Sequence, residues 1–390
     1  MSAGGPDWLD FDPPRSTDRR STLRRRAVVG AVAVVTIGLV GSTVYGQFRP
    51  AATAEEPPPA ASSSPPSSPV TSRSRTPDPT PRRFVDSQLA LPGAGDWVLF
   101  TRDENSLFRV ALDSGTVTRT DGLSVDSSNQ VSLIAGPEQV LVVSDENGSG
   151  VLVPDGRPAR PFPSRLQKLS RLYPGPPGLL WAQRMGESGP GSIALVDFAG
   201  RRRGAPLALG GGWPQPDGKG GLLVNDVGGV YELSRGSLRR ITTGALTAVG
   251  ANHLLLAECD ARHRCSSFLL DRASRTRHRL GRADTRTLPS GVLSPDGRHT
   301  ALIDWQGATG PRLRVQDLRS RSTRQFTGLP QEYGPEPQGT LGWTPDSRRL
   351  IMLLDGGISI LDVDSGRIRR SGPGLDDLQQ LTLRAPRSAR

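Results

Sequence analysis

Seven short apolar runs separated by turn residues recur along residues 84–390, and this recurrence limits the available folds more than any other feature of the chain. The last unit is the clearest. Leu341-Gly342-Trp343 leads into the turn Thr344-Pro345-Asp346-Ser347, and the wholly apolar run Leu350-Ile351-Met352-Leu353-Leu354 follows. Asp355-Gly356-Gly357 then turns into residues 358–363, and Asp364-Ser365-Gly366 turns into Arg367-Ile368-Arg369. Proline presets φ at the first corner of a turn and glycine supplies the positive φ of a tight hairpin, so the unit reads as four strands joined by three turns. An entirely apolar second strand suits a position covered on both faces.

The same order recurs upstream. The apolar strand appears as Trp97-Val98-Leu99-Phe100, Val140-Leu141-Val142-Val143, Gly178-Leu179-Leu180-Trp181, Leu222-Leu223-Val224, Leu254-Leu255-Leu256 and Ala301-Leu302-Ile303. Between the corresponding turn glycines Gly115 and Gly366 lie six intervals, giving a period of about 42 residues, that of four-stranded propeller blades. Helical repeats of this length need amphipathic runs of ten or more residues, and none is visible. The 46 glycines and 35 prolines likewise disfavour a helical protein. An open ring would leave two sheet edges, so residues 84–91 and 378–383, both strand-like, are expected to complete the first blade singly or together.

Ahead of the repeats, residues 27–46 form twenty consecutive uncharged residues, long enough at about 1.5 Å per residue to span a membrane core of ~30 Å. Arg19, Arg20, Arg24, Arg25 and Arg26 precede this run and only Arg49 lies close behind it, which predicts a cytoplasmic tail over residues 1–26. The C-terminal region is then extracytoplasmic and the chain a single-pass protein of the cell membrane. Ala52-Thr53-Ala54 leaves cleavage of a signal peptide open, although the apolar run is long for one. No cysteine lies nearby for acylation. Gly38, Ser42 and Gly46 form a small-residue stripe suited to a weak homodimer of such helices. In the tail, Asp7-Trp8-Leu9-Asp10-Phe11-Asp12 alternates acidic and apolar residues, as a short docking motif would. Residues 47–83 are rich in Pro, Ser and Ala and read as a disordered linker without a core.

Within the repeats, Ser294-Pro295-Asp296-Gly297-Arg298, Thr344-Pro345-Asp346-Ser347-Arg348 and the weaker Pro216-Asp217-Gly218 resemble the Pro-Asp-Gly turn of TolB-like, WD-like β-propeller repeats. The layout of one anchor, a linker and an exported propeller is similar to that of single-pass proteins found in actinobacteria. The paired Gly-His and Trp-Asp dipeptides of true WD repeats are absent. The resemblance implies a scaffold for binding and carries no particular ligand. The expected fold class is all-β: a seven-bladed β-propeller with four-stranded antiparallel blades over residues 84–390, preceded by one transmembrane α-helix and the Pro/Ser-rich stalk.

Candidate chemistry is sparse. Cys259 and Cys265 flank a predicted hairpin and, in an exported domain, read as a disulfide; the alternative makes Cys259, His263 and Cys265 metal ligands. The four histidines form no HExxH, and no GxSxG, phosphate-binding loop or dinucleotide fingerprint occurs. Ser294-Pro295-Asp296-Gly297 departs from the sialidase Asp-box spacing, and Asp145-Glu146-Asn147-Gly148 is a weak calcium motif. No catalytic, cofactor or metal residue is assigned. Arg262, Arg264, Arg275, Arg277 and Arg279 are the candidate anion-binding residues, for an anionic wall polymer, against the preferred reading of a solvated outer strand in a chain with 47 Arg and two Lys. The net charge of +11 first suggests nucleic acid, but the arginines carry no interleaved aromatics and the domain is expected outside the cell, so nucleic acid is not expected. The function expected is a binding or sensing module for an envelope ligand or protein partner. Its alternative is an exported glycan hydrolase or lyase acting in the propeller channel.

Overall fold

The computed structural model describes residues 82–385, apart from 124, 126–130, 145–148, 163–170, 187–188, 235, 284–288, 305–309 and 330–338. The predicted tail, the apolar segment 27–46 with Gly38, Ser42 and Gly46, almost all of the linker, and Asp145-Glu146-Asn147-Gly148 lie outside the described residues. Among the described residues every regular element is a strand, and no helix is long and apolar enough to cross a membrane.

The first sheet contains β1 (Arg82–Val85), β2 (Val98–Arg102), β3 (Ser106–Ala111) and β4 (Thr116–Asp121), and the second β5 (Val131–Ala135), β6 (Gln139–Ser144), β7 (Gly150–Pro154) and β8 (Arg160–Pro161). The third holds β9 (Arg171–Pro174), β10 (Leu179–Gly186), β11 (Gly189–Asp197) and β12 (Leu207–Ala208). The fourth holds β13 (Trp213–Pro216), β14 (Leu222–Asp226), β15 (Gly229–Ser234) and β16 (Ser237–Thr242). The fifth sheet has eight strands: β17 (Ala245–Val249), β18 (His253–Cys259), β19 (Cys265–Asp271), β20 (Arg277–Arg282), β21 (Ser290–Leu293), β22 (His299–Asp304), β23 (Arg312–Asp317) and β24 (Thr323–Phe326). The sixth holds β25 (Leu341–Trp343), β26 (Arg349–Leu354), β27 (Gly357–Asp362) and β28 (Ile368–Arg370). The last strand, β29 (Gln380–Arg384), returns to the first sheet, whose order is β1-β4-β3-β2-β29.

This is an all-β, propeller-like arrangement of antiparallel meanders. Each predicted apolar run falls in a second strand, and those strands are buried almost throughout: Leu99, Val140, Leu180, Leu223, Leu254, Ala301 and Leu350 have no exposed surface. The expectation of seven separate blades is corrected. Five sheets of four or five strands stand apart, while the runs in β18 and β22 share one eight-stranded sheet. The join is a parallel rung between β17 and β21, Ala248↔Gly291 and Val249↔Val292. The two strands approach closely there: a Cβ on Gly250, just after β17, would lie 2.8 Å from Cβ of Leu293 on β21.

Both chain ends of the domain enter the first sheet. β29 runs antiparallel beside β2, with Val98↔Arg384 and Arg102↔Gln380 in register, and β1 runs antiparallel beside β4. The expected strand over 84–91 is shorter than its apolar pattern suggests, because the chain turns after Val85. Leu89 and Leu91 are nonetheless fully buried, packing with Leu375, Leu378 and Leu381 against residues of β2, β26 and β27.

The two strong Pro-Asp turns fold as the same hydrogen-bonded knot. Ser294 Oγ donates to Asp296 Oδ1 (2.6 Å) and accepts from the His299 backbone N–H (2.8 Å); Thr344 Oγ1 donates to Asp346 Oδ1 (2.6 Å) and accepts from the Arg349 N–H (3.0 Å). A hydroxyl before Pro-Asp thus ties each turn to the strand after it. Histidines at the heads of β18 and β22 face aspartates at the ends of β19 and β23, with Nε2 to Oδ2 at 3.5 Å for His253–Asp271 and 3.7 Å for His299–Asp317. His299 also stacks on Trp343 with ring centroids 5.9 Å apart.

This arrangement has a pH signature. Burial raises the Asp317 carboxyl, but the backbone N–H groups of Ser320 and Arg319 and the Arg298 guanidinium outweigh it and hold the group at about 2. Burial lowers His299, so it is neutral in the fold despite Asp317 beside it. A depressed carboxylate contributes stability above its unfolded value of 3.8 that is lost as pH falls toward 2, and a depressed histidine favours unfolding below pH 6.5. Stability should therefore decline in acid. Urea midpoints of the Asp317→Asn protein should fall less between pH 5 and pH 2 than those of the parent, by about 2 kcal/mol of unfolding free energy.

Candidate functional site

Cys259 and Cys265 are bonded to one another at the end of the β18–β19 ladder, where they are register partners with Cα atoms 3.9 Å apart. The enclosed loop is organised by Asp260, which accepts the backbone N–H groups of Arg262 (2.9 Å) and Arg264 (3.0 Å) and Nε of Arg264 (2.8 Å). His263 takes the left-handed conformation, φ 57°. Sulfurs bonded to each other offer no thiolate to a metal, and among the described residues no group of three or more His, Cys, Asp or Glu is placed to hold one. Because the loop is short, reduction should lower stability by only about 2.4 kcal/mol, read as a small shift in melting temperature on adding reductant.

The five candidate arginines are not brought together into an open site. Arg277 and Arg279 lie on β20, an edge of the eight-stranded sheet. Arg277 pairs with Glu258 and lies 4.8 Å over the Phe268 ring, and Arg279 donates to Ser266 Oγ (2.9 Å). Arg264 is bound to Asp260 (2.7 Å) and Arg275 to Glu232 of β15 (2.7 Å), while Arg262 is exposed at the hairpin tip. Three of the five charges are paired with carboxylates, Asp260 in the same hairpin and Glu232 and Glu258 on other strands.

A different set of cations converges on a groove of about 1310 Å³, formed by turns and strand ends of the first four sheets. The β5–β6 turn supplies Gly136, Pro137 and Glu138, the turn before β10 supplies Pro177 and Gly178, and the β13–β14 turn supplies Lys219 and Gly220. Arg160 comes from β8, Arg201 and Arg203 from the segment after β11, and Arg384 from the end of β29. Among the described lining residues five basic ones thus face two acidic ones, Glu138 and Asp197. Asp197 holds Arg201 and Arg203 through one oxygen, Oδ2, at 2.8 and 2.9 Å. Burial raises its carboxyl, but the N–H groups of Arg201 and Ala199 and the Arg201 side chain outweigh this and keep it ionised below the usual range. Arg384 makes a bidentate pair with Asp155 (3.1 and 2.7 Å), donates to the Gly136 carbonyl, and lies 4.7 Å over the Phe100 ring. Arg160 and Lys219 are exposed and, among the described residues, have no carboxylate partner.

Sequence reasoning missed this groove because its cations are scattered from residue 160 to residue 384. Two signals were available: the Arg201-Arg202-Arg203 run, and the rarity of lysine, Lys219 being one of two.

No protein-family profile matches the chain, and no curated protein matches it. Solved structures to which it is similar are TolB and other β-propellers. TolB from Acinetobacter baumannii is 12% identical over 74% of this chain and 67% of that chain, with a TM-score of 0.40. AztD from Citrobacter koseri is 11% identical over 74% of this chain and 97% of that chain, with a TM-score of 0.41. Likenesses this distant bear on no ligand and no chemistry.

Proposed function

We propose that the protein is a binding module whose propeller presents the basic groove to an anionic ligand or partner, and that residues 27–46 anchor it in the cell membrane with the propeller on the outer side. The observation that carries the reading is the convergence of Arg160, Arg201, Arg203, Lys219 and Arg384 on one open groove in which, among the described residues, Arg160 and Lys219 have no carboxylate partner. Excess cationic charge at a concave surface concentrates anions there and speeds their capture. The uncharged run after five arginines supports the anchor and its orientation.

A pair of charge reversals tests the reading. In full-length protein reconstituted in detergent, Arg160→Glu with Lys219→Glu should weaken binding of dextran sulfate at least tenfold, whereas Arg262→Glu with Arg279→Glu, equal in charge change, should alter it less than twofold. Equal losses would assign the binding to net charge and remove the groove from it. Protease added to intact cells should digest the propeller and spare residues 1–26; the reverse pattern would overturn the orientation.

A further inference from the structure

We infer that the occupant of the groove is a linear chain bearing repeated phosphate groups, lying across successive sheets, and not a single small anion. The inference rests on the groove being the binding site proposed above. The cations open to a ligand come from three consecutive sheets: Arg160 from the second, Arg201 and Arg203 from the third and Lys219 from the fourth, while Arg384 of the first is held by Asp155 and the Gly136 carbonyl with 11% of its side chain exposed. A ligand meeting both Arg160 and Lys219 crosses two sheet-to-sheet steps, which requires length.

The surface between the cations suits a chain passing over it. Glycines line it at the turns; a Cβ on Gly178 would meet nothing within 4 Å, so that turn faces open space, whereas one on Gly136 would meet Phe198 and one on Gly220 the Gly175 carbonyl. The groove's volume, about 1310 Å³, exceeds that of small-molecule sites, roughly 300–1,000 Å³. Its largest apolar side chain, Phe198, is turned inward with 8% exposed. Among the described lining residues no exposed aromatic offers a platform on which bases would stack, which separates this site from a single-stranded nucleic-acid groove. The donor set is three guanidinium forks, Arg160, Arg201 and Arg203, and the Lys219 ammonium, the groups proteins use for phosphate oxygens: the fork for paired oxygens, the lysine as a point charge. Arg201 and Arg203 share one carboxylate oxygen, so each retains N–H groups for a ligand.

The experiment measures affinity of the full-length protein for long-chain linear polyphosphate, tripolyphosphate, orthophosphate, poly-L-glutamate and single-stranded DNA. Polyphosphate is expected to bind most tightly. Engaging about three charges by counterion release, its affinity should fall roughly 20-fold between 50 and 200 mM salt, and Arg160→Glu with Lys219→Glu should cut it at least tenfold. Tripolyphosphate or orthophosphate binding as tightly as the long chain would overturn the extended ligand while leaving an anion-binding groove. Tighter binding of poly-L-glutamate would overturn the phosphate-chain assignment, and tighter binding of DNA would overturn a ligand without stacking bases. Binding of none of the five probes would overturn this inference together with the reading on which it rests.

Discussion

Truncation after Gly374 should abolish or severely weaken cooperative folding, lowering the melting temperature by 15 °C or more. The deleted segment carries Leu375, Leu378 and Leu381, all buried in the cluster that joins the first sheet to the sixth. Each fully buried leucine contributes about 1.5–3 kcal/mol, so the three together approach the entire net stability of a typical domain, about 5–15 kcal/mol. Their loss also uncovers β2, leaving Leu99 and Phe100 on a bare sheet edge. Polar ties go with them: Thr101 Oγ1 donates to the Gln380 carbonyl (2.6 Å), Arg102 Nε to Gln380 Oε1 (3.2 Å), and Arg384 holds Asp155 of the second sheet. A protein that fails to fold at all is still informative, because a synthetic peptide of residues 375–390 added in trans should restore a cooperative transition whose midpoint rises with peptide concentration. An unchanged melt on truncation would show that β29 does not close the ring.

Closure was legible in the chain because it rests on short-range patterns, an alternating Leu378-Gln379-Gln380-Leu381-Thr382-Leu383 at one end and an apolar segment near Phe84 at the other. The seven apolar strands were legible for the same reason, since a strand covered on both faces cannot hide its composition. What could not be read were properties set by partners far away in sequence. The β17–β21 rung depends on how closely Gly250 lets two strands approach, and residue spacing carries no trace of it. The arginines at residues 262–279 looked like one positive surface because Glu232 and Glu258, which neutralise two of them, lie on other strands. The groove was hidden by the converse effect. Its cations are individually ordinary, and only the sheet order places Arg384 in the same groove as Arg160.

Arg272→Ala should be the most damaging single substitution away from the chain ends. Arg272 follows β19 and reaches into the fourth sheet with 7% of its side chain exposed. Nη1 donates to the carbonyls of Asp217 (2.7 Å) and Ala251 (3.1 Å), and Nη2 to Asp217 Oδ2 (2.5 Å) and Glu232 Oε1 (3.0 Å). The two carboxylates respond differently to its loss. Glu232 retains Arg239 and Arg275, both at 2.7 Å, whereas the Asp217 side chain, 6% exposed, keeps only the turn N–H groups of Lys219 and Gly221. Removing one partner of a buried pair leaves an uncompensated charge and costs about 3–5 kcal/mol, or roughly 6–15 °C in melting temperature for a domain of this size. Asp217→Asn separates charge from packing, because the amide oxygen can still accept the two turn N–H groups while the negative charge is gone. If the stranded charge is the origin of the cost, Arg272→Ala should cost at least about 2 kcal/mol less in the Asp217→Asn background than in the parent. Equal costs in both backgrounds would mean that Arg272 acts through its two carbonyl bonds and its packing, and a loss below about 1 kcal/mol in the parent would show that the buried ion pair does not hold the fourth and fifth sheets together.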